Sequence, residues 1–184
     1  MLIYLRGYFY YEVFTNSSRL KSVEVNLPLT KKKVFRIEIS KYEYCIPKQK
    51  HEIDAYTIYV YTPEMIVIEK LRAICQQMTE YAEIVTSPSR SARARDFYDI
   101  YILMKQFKID LTAHQNIELI KKIFNAKRVP VTLIKNIADY REYHRPDFEA
   151  VKSTVKPKIK LRQYDFYFDY VLRVTRKLNI LWEI

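Results

Sequence analysis

The sequence predicts an α+β fold, with an N-terminal, mainly antiparallel sheet followed by a helical C-terminal part. Up to residue 61, apolar and polar residues alternate in the short runs typical of half-buried strands. From Thr62 onward, apolar residues recur every three to four positions, the period of amphipathic helices. A chain of 184 residues with 49% apolar content can bury one core, or two closely joined ones. The organisation expected is a β-rich part over 1–61 and a helical part over 62–184, with a functional cleft between them.

Strands are expected at about 2–14, 21–27, 33–40 and 56–61, with turns near Asn16-Ser17-Ser18 and Leu27-Pro28 and a loop at Lys48-Gln49-Lys50. In the third strand, Phe35, Ile37 and Ile39 share one face while Arg36 and Glu38 share the other. The first helix has a clear start, with Thr62 as N-cap, Pro63 at the first helical position and Glu64 in the first turn. It should run to about Met78. Its apolar stripe is Val67, Leu71, Ile74, Cys75 and Met78, with Lys70 at the edge and Glu69 toward water.

A polar loop at Thr86–Ser89 leads to a second helix from about Arg95, whose stripe is Ile100, Leu103 and Phe107. Further helices are expected at 114–126 and 130–141. Lys152–Lys160 reads as a basic connector, and Tyr164–Leu178 as a final amphipathic stretch.

Composition removes several function classes. The chain has one glycine, Gly7, so it has no Gly-rich turn that would let backbone approach a phosphate, and any phosphate must be held by side chains. Cys45 and Cys75 lack the spacing of a zinc site or disulfide framework, and Cys75 reads as core. His51, His114 and His144 are isolated and read as surface or capping residues. With no apolar run long enough to span a membrane, and charges within the first 20 positions, the cytoplasm is the expected compartment and no membrane partner is expected.

A net charge of +11 favours polyanions. Basic clusters occur at Lys31–Lys33, at Arg90, Arg93 and Arg95, at Lys121-Lys122 with Lys127-Arg128, and from Lys152 to Arg162. Seventeen tyrosines could stack on unpaired bases, although each taken singly also suits a core position with a wet hydroxyl.

The most informative feature is inward charge. Asp96 falls in the middle of the second helix's apolar stripe, Asp99 at its margin, and Lys70 at the edge of the first helix's stripe. A lysine and an aspartate that look inward from neighbouring helices can form a buried ion pair, or can line a cleft that receives a phosphate and a metal. Asp96 also suits ordinary first-turn capping.

The run Pro63-Glu64-Met65-Ile66-Val67-Ile68-Glu69-Lys70-Leu71-Arg72-Ala73-Ile74, followed by Arg95-Asp96-Phe97-Tyr98-Asp99-Ile100-Tyr101, resembles the AbiEii/AbiGii toxin family of nucleotidyltransferases. In that family a "PEE…EKLRAL" helix precedes an "RDLYDLY" helix, and the likeness covers positions 60 to 105. The resemblance implies a partial nucleotidyltransferase-like fold and the toxin of a type IV toxin–antitoxin pair. Such a toxin uses a nucleoside triphosphate and Mg²⁺ to transfer a nucleotide to RNA, in some cases tRNA, or to protein, and has an antitoxin as partner.

By the same resemblance, Lys70 and Asp96 are the motif lysine and aspartate, with Asp99 the second acidic residue of that run. Arg36-Ile37-Glu38 fits the family's basic-x-acidic strand, which makes Glu38 a catalytic and metal-binding candidate. The alternative for that strand is a solvent-facing Arg/Glu face. Arg36, Arg90, Arg93 and Arg95 are candidates for binding the triphosphate, whose charge must be neutralised for transfer.

The chain departs from the family in one respect. Members open with a Gly-Ser turn and an Asp-x-Asp pair, whereas here Gly7 precedes Tyr8, no Asp-x-Asp occurs, and the first aspartate is Asp54. Two-metal chemistry needs closely spaced carboxylates, which Glu38 alone does not supply. Three explanations follow: a segment upstream of Met1, a degenerate remnant, or a partner that supplies the motif. The first is preferred, because Met1–Leu5 reads like an interior strand. The expected function is a nucleotidyltransferase-type toxin domain, enzymatic if the missing metal-binding segment is supplied. The alternatives are a noncatalytic module that binds RNA or an antitoxin-like partner, and a purely structural Lys70–Asp96–Asp99 network.

Overall fold

The computed structural model describes residues 23–26, 34–37, 43–53, 56–85, 90–155 and 161–182. The expected strand at 2–14, the turns at 16–18 and 27–28, the Lys31–Lys33 cluster, the Thr86–Ser89 loop and Glu38 all lie outside the described residues. The chain divides into two units, Met1–Tyr42 and Glu43–Ile184. The architecture is α+β.

In the first unit, β1 (Val23–Asn26) pairs antiparallel with β2 (Val34–Ile37), and the register sets Glu24 opposite Arg36. Both strands fall inside the segments where alternation predicts them.

The second unit opens with a hairpin of β3 (Lys48–Ile53) and β4 (Tyr56–Tyr61). Lys48-Gln49-Lys50, expected as a loop, is therefore the start of a strand. Its run of polar residues hid the pairing because β3 is exposed along its whole length, so no buried face imposes alternation.

Helix α1 (Pro63–Cys75) starts as predicted, with the Met65 amide donating to Thr62 Oγ1 at 3.3 Å. It stops three residues before Met78, yet Met78 is still buried in the turn that follows. The expected stripe is buried together with Met65 and Ile68, because α1 is covered by α3, by α4, by the 131–140 segment and by β4. A helix buried on most sides is the centre of its unit. Glu69, expected to face water, is instead half-buried and paired with buried Arg72, 2.6 Å away. Three residues apart on a helix, the two charges are neighbours and satisfy one another.

The short α2 (Thr79–Ala82) is tied to the rest by Tyr140, whose hydroxyl donates to Glu80 Oε2 at 2.6 Å and accepts from the Thr79 amide at 2.8 Å. Helix α3 (Ala94–Phe107) buries Ala94, Asp96, Phe97, Ile100 and Met104. Phe107, expected in the stripe, is 47% exposed. Helix α3 ends there, because Lys108 turns left-handed at φ 50°, and the inward position is taken by Met104.

Helix α4 (His114–Ala126) matches its expected span. The stretch expected as a helix at 130–141 is a 3-10 helix over Val131–Tyr140. Ile134, Ile137 and Tyr140 recur every third residue, the spacing at which 3-10 side chains eclipse, and Ile134 and Ile137 are buried. After α5 (Arg141–His144) and a 3-10 turn, α6 (Phe148–Thr154) occupies the start of the segment expected as a connector. Its anchors, Phe148 and Val151, are buried but too few to show a period. Helix α7 (Tyr164–Thr175) starts where the final stretch is expected and passes into a 3-10 segment, Arg176–Leu181, which runs three residues past its expected end at Leu178.

Phe97 anchors this unit. It is fully buried and its ring stacks on Phe168 at 4.9 Å. We expect Phe97→Ala to lower unfolding stability by about 4 kcal/mol through lost apolar contact and the cavity left behind, read as the shift in urea midpoint.

Candidate functional site

Helices α1 and α3 pack side by side, and their seam carries the charges. Lys70 leaves the edge of α1 and donates to Asp96 Oδ1 at 2.9 Å and to Asp99 Oδ2 at 2.7 Å. Asp96 and Asp99 are three residues apart on α3, so both reach the same side of the helix. All three side chains are largely covered, with 24%, 11% and 22% exposure for Lys70, Asp96 and Asp99. Burial acts against the Lys70 ammonium. The hydrogen bonds it donates and the nearby carboxylate charges outweigh that cost and hold its pKa above the usual lysine value.

Two guanidiniums border the trio. Arg93 Nη1 stands 3.8 Å from Asp96 Oδ2, and Arg95 Nε stands 3.7 Å from Asp99 Oδ2. Around Asp96 and the start of α3 lies a pocket of about 310 Å³, walled by Arg93, Arg95, Asp147, Val151 and Thr154 among others. Asp96 Oδ2 and Arg93 Nε are buried there and have no hydrogen-bond partner among the described residues. Such atoms carry a desolvation cost that a polar ligand can relieve.

The start of α3 is held by residues some fifty positions away. The Ala94 amide donates to Asp147 Oδ2 at 3.0 Å and the Arg93 amide to His144 Nδ1 at 3.0 Å. His144, expected as a surface or capping residue, caps but is fully buried. Its pKa is pushed down to about 4 by burial and by the charges of Arg93 and Arg90. Asp147 and His144 give no sequence signal, because a cap supplied from another segment leaves no local spacing to read.

The other sequence candidates fall in different places. Arg90 does not line this pocket; its Nε donates to the Gln77 carbonyl at 2.7 Å and its guanidinium covers the Tyr143 ring at 5.0 Å. Arg36 belongs to the first unit, in β2, and Glu38 lies outside the described residues. Among the described residues no three His, Cys, Asp or Glu side chains come together to hold a metal ion. The facing oxygens of Asp96 and Asp99 are taken by Lys70, and Asp147, the other acid on the pocket wall, gives one oxygen to the Ala94 amide. These residues alone do not fit Mg²⁺, and no step is routed through it. Nor is any helix among them long and apolar enough to cross a membrane.

A family model described as nucleotidyl transferase AbiEii toxin, type IV toxin–antitoxin system, matches residues 13–177. No curated protein and no solved structure gives a match.

Removing Lys70 strands two covered carboxylates. We expect Lys70→Met to cost about 3 kcal/mol, the low end for a buried pair because water still reaches part of the trio, and Lys70→Met/Asp96→Asn/Asp99→Asn to recover most of it. Urea titrations of the two variants give both numbers.

His144 sets an acid dependence. Its folded pKa lies below its unfolded value, so the unfolded chain binds the extra proton first and stability falls as pH drops from about 6.5 toward 4. Unfolding midpoints measured across that window should show a shallower fall in His144→Asn than in the parent.

Proposed function

The chain belongs to the AbiEii family of nucleotidyl transferase toxins of type IV toxin–antitoxin systems, and on that premise we propose that it takes a nucleoside triphosphate in the pocket beside Asp96 and transfers the nucleotide to RNA or protein. The observation that carries this reading is the pair of unsatisfied buried atoms, Asp96 Oδ2 and Arg93 Nε, on the wall of a pocket next to the Lys70 trio.

Transfer of a nucleotide depends on positioning and on charge that neutralises the triphosphate. Arg93 and Arg95 supply that charge at the pocket rim, where the guanidiniums stand 3.8 and 3.7 Å from the Asp96 and Asp99 carboxylates, beyond close hydrogen-bond distance, and can turn to an anionic ligand. Lys70 fixes the directions of Asp96 and Asp99, so the carboxylates are held in place before a ligand arrives. Mg²⁺ enters the proposal through the family alone. By the same family likeness, Glu38 is the residue proposed to contact it. An antitoxin protein is the proposed regulatory partner.

Two observations favour a second reading, in which the chain is a noncatalytic member that binds RNA or an antitoxin-like protein. Lys70 is fully engaged by two carboxylates, and the sequence lacks the Asp-x-Asp pair of the family. Under that reading the trio is a structural network.

Incubating the chain with Mg²⁺, each labelled nucleoside triphosphate in turn and total tRNA separates the two. We expect label on RNA or protein, lost in Lys70→Ala and reduced at least about tenfold in Arg93→Ala, each variant shown folded by circular dichroism. No label from a well-folded parent chain supports the noncatalytic reading.

A further inference from the structure

On the side of α3 away from the Lys70 trio, the helix meets α7 through aromatic rings. The Tyr101 ring lies 5.1 Å from Phe166 and 5.0 Å from Tyr170, both edge-on, and Tyr98 lies 5.2 Å from Tyr167. Phe166 is 36% exposed, while Tyr98, Tyr101 and Tyr170 are half-buried. The hydroxyls of these three tyrosines have no hydrogen-bond partner among the described residues, so the rings present a polar rim to water.

Cations frame the rings at both ends. Arg162 stands 5.5 Å from the Phe166 ring at one end, and Lys105 and Arg173 stand 5.6 and 5.9 Å from Tyr170 at the other. None of these three cations has a carboxylate partner among the described residues. The acids of α7, Asp165 and Asp169, are taken by Arg141, at 2.7 and 2.5 Å. The surface is thus aromatic in the middle, cationic at each end, and without a competing free acid.

We propose that this α3–α7 face is a binding site for single-stranded RNA. Bases stack on aromatic rings whatever their sequence, and phosphates are drawn to cations whose contacts are rings and not carboxylates. Charge complementarity selects a polyanion, and the run of rings offers stacking surfaces that bases use and an acidic polypeptide does not. The face also leads toward the trio: Arg95 lies between Tyr98 and Asp99 on the turn of α3 and stands 3.7 Å from Asp99. A strand on the rings therefore continues toward the proposed nucleotide pocket. As the acceptor's path this rests on the transferase reading, whereas RNA binding does not.

The test is fluorescence anisotropy of a labelled twelve-residue oligouridylate with the whole chain, with no triphosphate present. Variants are Phe166→Ala, Tyr170→Ala, the pair Arg162→Glu/Arg173→Glu, and, as a control with the same charge change far from the face, Lys121→Glu/Lys122→Glu. We expect each aromatic variant to weaken binding by about tenfold. The arginine pair should weaken it more and flatten the salt dependence by about two ions, while the control changes affinity less than twofold. Equal loss in the control, unchanged binding in the aromatic variants, or equal competition by poly-glutamate would overturn the proposal, the last by assigning the face to an acidic protein. Failure of nucleotide transfer with these binding results intact sinks the transferase reading and leaves the RNA site standing.

Discussion

One ammonium shared by two carboxylates governs the second unit. Among the described residues Lys70 is the one cation that reaches both Asp96 and Asp99, and it does so across the contact between α1 and α3. Charges removed from water must find partners, so α1 and α3 have one relative position in which all three are satisfied. Apolar packing alone would permit sliding. The trio fixes the register, and the Phe97 ring stack, the Asp147 cap and the pocket wall then follow from where α3 lies.

The same seam shows how structural and functional needs overlap in one set of atoms. Asp96 uses one oxygen to hold α1 and keeps the other unsatisfied at a pocket, where Arg93 Nε is also unsatisfied. A group that served only the fold would be expected to be satisfied on both sides. The opposite faces of α3 thus carry different chemistry, with buried ion pairs toward α1 and aromatic rings with cations toward α7.

Much of this was legible in the sequence. Periodicity located α1, α3 and α4, and with them the inward Lys70, Asp96 and Asp99, because a charged residue inside an apolar stripe is visible without coordinates. The N-cap at Thr62 was equally plain. What escaped had no local pattern. Arg72 and Glu69 satisfy one another within α1, so their burial depends on neighbours from elsewhere. Strand β3 is exposed throughout and lacks alternation, the 131–140 segment follows a three-residue period close to that of an α-helix, and Phe107 was misplaced by a left-handed turn at a lysine. His144 and Asp147 act across fifty residues, beyond the reach of any spacing rule.

Those two distant caps also set the order of events during synthesis. Helix α3 leaves the ribosome with its first amides bare, since Asp147 and His144 are translated some fifty residues later. Until they arrive, an isolated helix of this length is marginal in water, and the seam with Lys70 lacks a firm partner. A chain cut before residue 144 therefore carries every residue of the trio but lacks both side chains that cap the start of α3.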